Sequence, residues 1–417
     1  MSVDTPPLPK STYAGSPLPL EGIRVLDLSR VFAGPQCAMV LGDLGADVIK
    51  IEHHERGDDT RDWGIKVSST ETTYFNTMNR NKRSVTLNLD TAAGRDLLRQ
   101  LVERSDVLIH NFKRGDERKF GIAAEQAQAI NPRLVYCSIG GYVSWGSEST
   151  RPGYDIVIQA EAGLMSINGD REQPPMKVGF PVIDMLTGLY AAHAVLAALY
   201  QRNATGRGEV IEQALYDSGI MSVCFYGLDA MLLGKDTVRY GNAHPSIVPY
   251  GLFHAADGPL IIAVGNNAQY RSFCLKVLEY PALWDEPGYQ TNQGRMERRD
   301  ELIALLQAQL RLHSREELIR RMHTVGIPCG KVAGTHTAMT STRTLEAGLV
   351  QMMHHPEAGE VAMIAPPYIM GGSRLPVRQR SPRPGEHNHA VLREVLGLGD
   401  ADVQRLVEQQ AIAPARH

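Results

Sequence analysis

The sequence predicts an α/β protein with a doubly wound, Rossmann-like large domain and a smaller α+β domain. Short β-rich segments alternate with helical ones through the first half of the chain, and the loops after such strands form the expected ligand crevice. The length of 417 residues exceeds what one hydrophobic core usually organises. With 43% hydrophobic and 21% charged residues, the composition is typical of a folded protein rather than a fibrous or disordered one.

The alternation begins with a βαβ unit: a strand at 23–29, a helix at 33–45 and a strand at 47–52. The same rhythm then predicts strands at 84–90, 106–112 and 134–142, with helices at 91–104 and 123–130. A long apolar helix follows at Met185–Arg202 and ends at the glycines of NATGRG. From about residue 227 the strands become shorter and the helices more charged, which indicates the smaller domain.

These changes predict five segments along the chain. They are a mobile tail (1–20), the first part of the large domain (21–205), a linker (206–226), the small domain (227–325) and a segment that returns to the large domain (326–417).

Charge and cysteine content exclude several partners. The net charge is −3, so we expect no nucleic-acid partner. Five widely spaced cysteines without a C-x-x-C pair favour the reducing cytoplasm. The tail lacks the apolar core of a signal peptide, and the most apolar stretch, Leu189–Tyr200, is too short to span about 30 Å of hydrocarbon, so we expect no membrane partner.

The first βα turn, Ser29–Pro35, is a candidate anion site. It places small residues and a helix N-terminus where backbone amides can approach a phosphate or carboxylate. Only Gly34 matches the three glycines of a dinucleotide site, which disfavours NAD. A tight turn without a ligand remains the alternative.

Two basic clusters lie beside predicted strands. They could clamp phosphates while an apolar slot between Phe112 and Phe120 accepts an adenine, although a solvated surface is the alternative. The clusters are Arg80, Lys82 and Arg83, and Lys113, Arg114, Arg118 and Lys119.

Two carboxylates, Asp155 and Asp184, stand in apolar surroundings. Asp184 immediately precedes the long helix, so it could simply cap that helix, or it could act as a nucleophile that attacks an acyl group. Asp155 could be its polar partner or a buried structural acid. The histidines lack the spacing of metal ligands, and we predict no metal site.

Several strings together carry a family resemblance. The chain resembles the class III coenzyme A transferases, the CaiB/BaiF family, over nearly all residues after the tail, and within it the members that act on dicarboxylates. The strings include PLEGIRVLDLSRVFAGPQCAMVLGDLGADVIKIE, NRNKRSVTLNLD, NPRLVYCSIGGY, RPGYDIVIQAEAGLMSINGD, PVIDMLTGLYAAHAVLAALYQRNATGRGEVIEQALYDS and GEHNHAVLREVLGL.

The resemblance implies a chemistry and an assembly. Asp184 would form an aspartyl-CoA thioester, coenzyme A thioesters and carboxylic acids would be the substrates, and no cofactor would be permanently bound. The fold would be a homodimer of interlocked rings. The implied coenzyme A contacts in the large domain are Phe32, Ala33, His53, Leu87, Asn88, Leu89, Asn111, Phe112, Lys113, Lys119, Phe120, Tyr154 and Asp155.

Substrate choice follows from departures within the family. Formyl-CoA transferases carry glutamine where Phe32 stands, so oxalate and formate are disfavoured, and we expect succinyl-CoA as donor and a C4–C6 dicarboxylate as acceptor. The candidates for binding the distal carboxylate are Arg61, Arg80, His244, Ser246 and Tyr250. Arg61 and Arg80 could instead bind coenzyme A phosphates.

Two other functions remain as alternatives. Racemases of this fold have a histidine where Tyr154 stands, and a tyrosine with a pKa of about 10 is a poor base for carbon acids. A protein that binds coenzyme A without catalysis is the second alternative.

Overall fold

A computed structural model describes residues 17–414, which divide into two compact units. Unit 1 contains the residues up to Leu164, Val178–Cys224 and the residues from Met339 onward, and unit 2 contains Met165–Lys177 and Phe225–Ala338. Unit 2 therefore ends later than the predicted small domain and also takes 165–177 from the predicted large domain. The predicted mobile tail lies outside the described residues except for 17–20, where Leu20 is buried and its N–H donates to the Leu44 carbonyl at 2.9 Å.

The segment 165–177 belongs to unit 2 because hydrogen bonds hold it there. Arg239 donates to the carbonyls of Asp170 and Arg171 at 2.9 and 3.1 Å. The N–H of Gly241 donates to the Gly169 carbonyl at 3.1 Å. Such contacts between distant parts of the chain leave no local pattern in the sequence.

Unit 1 is built on a six-stranded, entirely parallel sheet, which confirms the predicted α/β class. The strands are β1 Arg24–Asp27, β2 Asp47–His53, β3 Lys82–Leu87, β4 Val107–His110, β5 Val135–Gly140 and β6 Val210–Ala214. Their order is β3-β2-β1-β4-β5-β6. The order reverses between β1 and β4, and ligands of doubly wound sheets bind beyond the carboxyl ends of the strands at such a point.

The predicted linker 206–226 is wrong, because it contains β6, all of the helix Leu215–Ser222 and the start of the next helix, Cys224–Leu233. The strand pairs with β5 from Tyr136 to Gly140. In β6, Val210 and Glu212 are exposed and Ile211 and Gln213 are half-buried. The strand therefore lacks the continuous apolar run that identifies a buried parallel strand.

Helices cover both faces of the sheet. Neighbouring strand residues point to different cores: Val25 and Val107 pack into one, Leu26 and Leu108 into the other. The helices of this part of the chain are α1 Ala33–Asp43, α2 Thr73–Met78, α3 Ala92–Glu103, α4 Asp116–Lys119, α5 Ala124–Ile130, α6 Asp155–Glu161, α7 Leu164–Ile167, α8 Val182–Thr205 and α9 Leu215–Ser222.

Helix α8 is longer than predicted. It begins at Val182 rather than Met185, so Asp184 lies within its first turn, and it ends at Thr205, directly before Gly206, which has a φ of 70°. By length and composition alone α8 could cross a membrane, a property that buried core helices share. In unit 1 it packs on α1, and a Cβ at Gly188 would lie 2.6 Å from the Ala33 carbonyl oxygen.

Unit 2 has its own core and an antiparallel three-stranded sheet. The core is formed by residues such as Phe253, Tyr270 and Leu306. The elements are α10 Cys224–Leu233, β7 Tyr250–Ala255, β8 Gly258–Ala263, α11 Asn267–Ser272, a π-helical turn Phe273–Val277, α12 Ala282–Asp285, α13 Asn292–Glu297, α14 Arg299–Leu310, α15 Arg315–Thr324, β9 Cys329–Lys331 and α16 Thr335–Met339.

The last segment packs on unit 1. Asn388 accepts a hydrogen bond from the Thr86 N–H at 2.9 Å, which attaches the segment to β3. Its elements are α17 Thr342–Glu346, the hairpin β10 Val350–His355 and β11 Gly359–Ile364, the short pair β12 Ile369–Met370 and β13 Ser373–Arg374, α18 Asn388–Leu396 and α19 Asp400–Glu408.

Candidate active site

Asp184 and Asp155 meet at the start of α8. One oxygen of the Asp155 carboxylate accepts hydrogen bonds from the backbone N–H groups of Ile183 at 2.8 Å and Asp184 at 3.2 Å. Asp155 therefore satisfies two of the free N–H groups at this helix terminus. Pro181 occupies the N-cap position, so the alternative in which Asp184 caps the helix is wrong.

A second layer of hydrogen bonds positions Asp155. The side-chain amide of Gln159 donates to the other Asp155 oxygen at 2.6 Å, and the Gln159 oxygen accepts from the Val178 N–H at 2.8 Å. These contacts join α6 to the segment that leads into α8. Within residues 17–414, no side chain donates a hydrogen bond to the Asp184 carboxylate.

Burial, and then the negative charge of Asp155, raises the pKa of Asp184 from 3.8 to about 7. A carboxylate is normally fully ionised and well hydrated near neutral pH, which makes it a poor nucleophile. Asp184 is only partly accessible, and its charge is weakly compensated. An ionised but poorly solvated carboxylate is the form that attacks an acyl carbon most readily.

Tyr74 is a site residue that sequence reasoning missed. Burial and the charges of Asp184, Asp155 and Asp58 raise its pKa to about 12, so its hydroxyl stays protonated beside these carboxylates. Its ring meets Phe32 edge-on at 6.1 Å. Tyr74 lies on α2, which begins 20 residues after the end of β2, so the rule that sites lie directly after strand ends does not select it.

The first βα turn faces α8. The N–H groups that begin α1, those of Phe32, Ala33 and Gly34, have no acceptor among the described residues, as is usual at a helix N-terminus. Asn111, at the end of β4, accepts from the Arg30 N–H at 2.9 Å and donates to the Arg30 carbonyl at 2.8 Å. Its side chain thus links the ends of β1 and β4 at the switch point, and its contact with coenzyme A stays a prediction.

The sequence and structure comparisons identify the family. A model of the CoA-transferase family III matches residues 20–388. The chain belongs to this family. It is therefore a CoA-transferase.

Relatives support the same assignment. Succinyl-CoA:glutarate CoA-transferase of Mus musculus is 37% identical over 93% of this chain and 89% of the mouse protein. Succinate--glutarate CoA-transferase of Agrobacterium fabrum is 36% identical over 90% of this chain and 96% of its own length. A crystal structure of a CAIB/BAIF family protein from Brucella suis has a TM-score of 0.81 and 35% identity, and it covers 91% of this chain and 100% of that one.

In this CoA-transferase, aromatic residues line the end of β4. The Phe112 ring lies 5.4 Å from the His110 ring and 5.3 Å from the Phe120 ring. Burial lowers the pKa of His110 to about 4, so that ring is neutral. The Lys119 ammonium lies 5.3 Å from the centre of the Phe120 ring and 3.2 Å from the Asp90 carboxylate. The edge-to-face contact of the Phe112 and Phe120 rings leaves no open space between them, which contradicts the predicted slot for adenine at that place. The contact of either ring with coenzyme A stays a prediction.

His53 lies at the end of β2 beside a cavity of about 440 Å³. Its Nδ1 accepts from the N–H groups of Glu55 at 3.2 Å and Arg56 at 3.4 Å, so in the neutral ring Nε2 carries the proton and can act as a donor. His54, Arg56 and Trp63 also line this cavity.

The remaining predicted coenzyme A contacts differ in exposure. Leu87 is buried, Asn88 and Leu89 are half-buried, and Lys113 and Tyr154 are exposed. All five belong to unit 1 of the CoA-transferase. Their contact with coenzyme A stays a prediction.

The phosphate clamp predicted at NRNKRS is contradicted by the internal contacts of its cations. Arg80, Lys82 and Arg83 pair with the carboxylates of Asp43, Asp27 and Asp47, respectively, at 2.5–2.8 Å. Buried charges require such partners, and Arg80 and Lys82 are buried. The same pairing removes Arg80 from the candidates for substrate binding.

Arg61 is also a structural residue in this transferase. Its guanidinium binds both oxygens of Glu52, at 2.7 and 2.8 Å, and donates to the carbonyls of Thr70 at 3.1 Å and Pro382 at 3.0 Å. Because four of its five N–H donors are occupied and it is buried, the prediction that Arg61 binds a substrate carboxylate or a phosphate is wrong. The paired acid, Glu52, could not be recognised from the local charge pattern.

His244, Ser246 and Tyr250 lie together in unit 2. His244 Nδ1 accepts from the Ser246 N–H at 3.0 Å, and the rings of His244 and Tyr250 are 5.2 Å apart. Their contact with the acceptor acid stays a prediction.

The cysteines and the acidic side chains show no metal-binding arrangement. Between residues 17 and 414 no group of three or more His, Cys, Asp or Glu side chains is placed to hold a metal ion. All five cysteines are free thiols. The cytoplasmic location stays a prediction.

Proposed function

We propose that this CoA-transferase moves coenzyme A from succinyl-CoA to a dicarboxylic acid, with Asp184 as the nucleophile. The observation that carries the proposal is the Asp184 carboxylate, which is partly buried, lacks a hydrogen-bond donor and lies in the first turn of α8. The names of the mouse and Agrobacterium relatives support the donor and the type of acceptor.

The first half-reaction leaves coenzyme A on the enzyme. An Asp184 oxygen attacks the thioester carbonyl carbon, the C–S bond breaks, and coenzyme A leaves as a thiolate from a mixed succinyl-aspartyl anhydride. The thiolate then attacks the aspartyl carbonyl carbon, and the anhydride C–O bond breaks to release succinate. The product is an aspartyl-CoA thioester.

The second half-reaction reverses these steps with another acid. The acceptor carboxylate attacks the aspartyl thioester, the thiolate leaves, and the thiolate then attacks the acyl carbon derived from the acceptor. This frees the Asp184 carboxylate. Positioning of the two reactants supplies much of the rate, since well-oriented groups gain roughly 7–11 kcal/mol.

Each tetrahedral intermediate places negative charge on an oxygen. The free N–H groups of Phe32, Ala33 and Gly34, on the turn that packs against α8, and the hydroxyl of Tyr74 are uncharged donors, and such donors stabilise an oxyanion. In this proposal the adenine packs against the touching Phe112 and Phe120 rings while Lys113, Lys119 and His53 bind the phosphates.

The acceptor and the assembly complete the proposal. With Arg61 and Arg80 excluded, we assign the distal carboxylate of the acceptor to His244, Ser246 and Tyr250. A homodimer is supported by α10, none of whose residues is buried although it is strongly apolar. Met231 and Leu232 of that helix are 83% and 86% exposed.

One incubation tests the function. Enzyme, succinyl-CoA and a panel of free acids are mixed in D₂O, and the acyl-CoA products are read by mass spectrometry. We expect coenzyme A thioesters of the dicarboxylic acids, with no deuterium at the α-carbon of their acyl groups. The Asp184→Asn variant should give no product. In a parallel incubation with a 2-methylacyl-CoA in D₂O, deuterium at its α-carbon would instead show a racemase. Binding of coenzyme A without any exchange would show a non-catalytic protein.

A further inference from the structure

The turn Ser29–Pro35 contains a strained residue next to the proposed coenzyme A contacts. Val31 has a φ of 72° and is the only β-branched residue with positive φ between residues 17 and 414. A β-branched residue rarely adopts this conformation, and it persists only where the surroundings hold it. The neighbours of the turn therefore show what maintains its shape.

A buried ion pair holds the first half of the turn. The Lys50 ammonium lies 2.9 Å from one oxygen of Asp58 and donates to the Ser29 carbonyl at 3.0 Å. The other Asp58 oxygen accepts from the N–H groups of Val31 at 3.4 Å and Thr60 at 3.0 Å. Both charged side chains are completely buried, so neither touches a substrate directly.

A second buried lysine holds the end of the turn. The Lys82 ammonium donates to the Pro35 carbonyl at 2.9 Å and pairs with Asp27 at 2.8 Å. Asp27 in turn accepts from the Ser29 N–H at 3.0 Å. The carbonyls of Ser29 and Pro35 at the two ends are thus bound, whereas the N–H groups of residues 32–34 between them stay free.

The turn is in direct contact with the helix of the nucleophile. A Cβ at Gly188 would lie 2.6 Å from the Ala33 carbonyl oxygen, so α8 approaches the turn without intervening side chains. Asp184 lies one helical turn before Gly188. A shift of the turn would therefore change the position of its amides relative to the Asp184 carboxylate.

Stability alone does not explain a buried pair at this place. Replacing a buried ion pair by uncharged residues of similar size often leaves stability unchanged or improves it. A strained turn with free amides, in contrast, needs donors and acceptors at defined positions on its buried side. Lys50 and Asp58 provide them.

We propose that Lys50 and Asp58 are positioning residues of the transfer reaction, which hold the strained Ser29–Pro35 turn against the helix that carries Asp184. The proposal rests on the proposed function, because it assigns the turn a task only if Asp184 reacts there.

The test compares two buried pairs. Lys50→Met/Asp58→Asn removes the ammonium but retains a side-chain oxygen for the Val31 N–H. The control, Arg80→Met/Asp43→Asn, makes the same chemical change in a pair with side chains 7% and 1% exposed at the opposite end of α1. Thermal unfolding, coenzyme A binding, and kcat and KM for succinyl-CoA are measured for both variants and the wild type.

We expect kcat of the Lys50/Asp58 variant to fall by about 100-fold, the loss typical of a displacement near 1 Å. Its KM for succinyl-CoA should stay within about threefold of the wild-type value. Its unfolding midpoint should equal that of the control variant. The control variant itself should retain the wild-type kcat. A wild-type kcat in the Lys50/Asp58 variant, or an equal loss in the control, would overturn the inference. An inactive wild type would overturn the proposed function with it.

A third substitution separates positioning from general damage. Glycine adopts a positive φ without strain, so adding Val31→Gly to the Lys50/Asp58 variant should restore kcat by about tenfold. No restoration would overturn the inference. If the double variant does not fold, Asp58→Asn alone replaces it, with an expected loss of about tenfold and the same restoration by Val31→Gly.

Discussion

The substitution Asp155→Asn should move the pH dependence of transfer toward lower pH. The asparagine side chain keeps an oxygen that can accept from the N–H groups of Ile183 and Asp184, so the start of α8 stays capped. It removes the negative charge that, together with burial, raises the pKa of Asp184 to about 7. The catalytic carboxylate should then ionise more easily.

The size of the shift follows from the causes of the raised pKa. The change from 3.8 to about 7 corresponds to roughly 4 kcal/mol, and burial is the larger cause. The charge of Asp155 therefore accounts for less than half of the change, and we expect its removal to lower the pKa of Asp184 by about one. At pH 6 the ionised fraction of Asp184 would rise from about one tenth to about one half, roughly fivefold. At pH 8 both enzymes would be almost fully ionised.

The assay is the initial rate of coenzyme A transfer from succinyl-CoA between pH 5 and pH 9, expressed as kcat/KM. We expect the acid limb of the Asp155→Asn profile to lie about one unit below that of the wild type. A control, Gln159→Glu, adds a carboxylate near the same site and should not lower the limb. An unchanged or raised limb in Asp155→Asn would refute the reasoning.

Three further predictions concern stability and packing. The pKa of Asp184 is higher in the folded state than in the unfolded state, so the folded protein loses stability as pH rises from about 4 to 7 and this carboxyl group is deprotonated. Asp184→Asn should therefore unfold at a higher temperature than the wild type at pH 8 but not at pH 4. Gly188→Ala should cost about 1–3 kcal/mol in urea unfolding and lower kcat, because its Cβ meets the Ala33 carbonyl. Arg61→Met should cost about 3–5 kcal/mol by leaving Glu52 unpaired, with no selective rise in the KM of the acceptor acid.

Local pattern predicted the sheet because its central strands are buried on both faces. Val25, Leu26, Val107 and Leu108 form continuous apolar runs. Residues 210–213 of strand β6 alternate between exposed and half-buried, so the sequence pattern predicts a linker there. Segment 165–177 was misassigned because its partners lie about 70 residues away, as in the bond from Arg239.

The site was only partly predictable from the sequence, because the partners of several of its residues lie far away along the chain. The apolar pattern of the sequence predicts Asp184 at the start of a helix but does not decide between a capping role and a catalytic one. The family resemblance is what indicates that it is the nucleophile. The cations Arg61 and Arg80 were misread because their acids, Glu52 and Asp43, are 9 and 37 residues away. Tyr74 was missed because only the folded chain brings its ring to Phe32.

The central claim is that Asp184 carries coenzyme A during turnover. Lys177 and Arg202 are trypsin sites, and Asp184 is the only acidic residue between them. Enzyme incubated with succinyl-CoA and hydroxylamine, then digested and mapped by mass spectrometry, should carry a hydroxamate in peptide 178–202, and Asp184→Asn should carry none. A hydroxamate in another peptide, such as the one with Asp155, or none in an enzyme that transfers coenzyme A, would contradict the account.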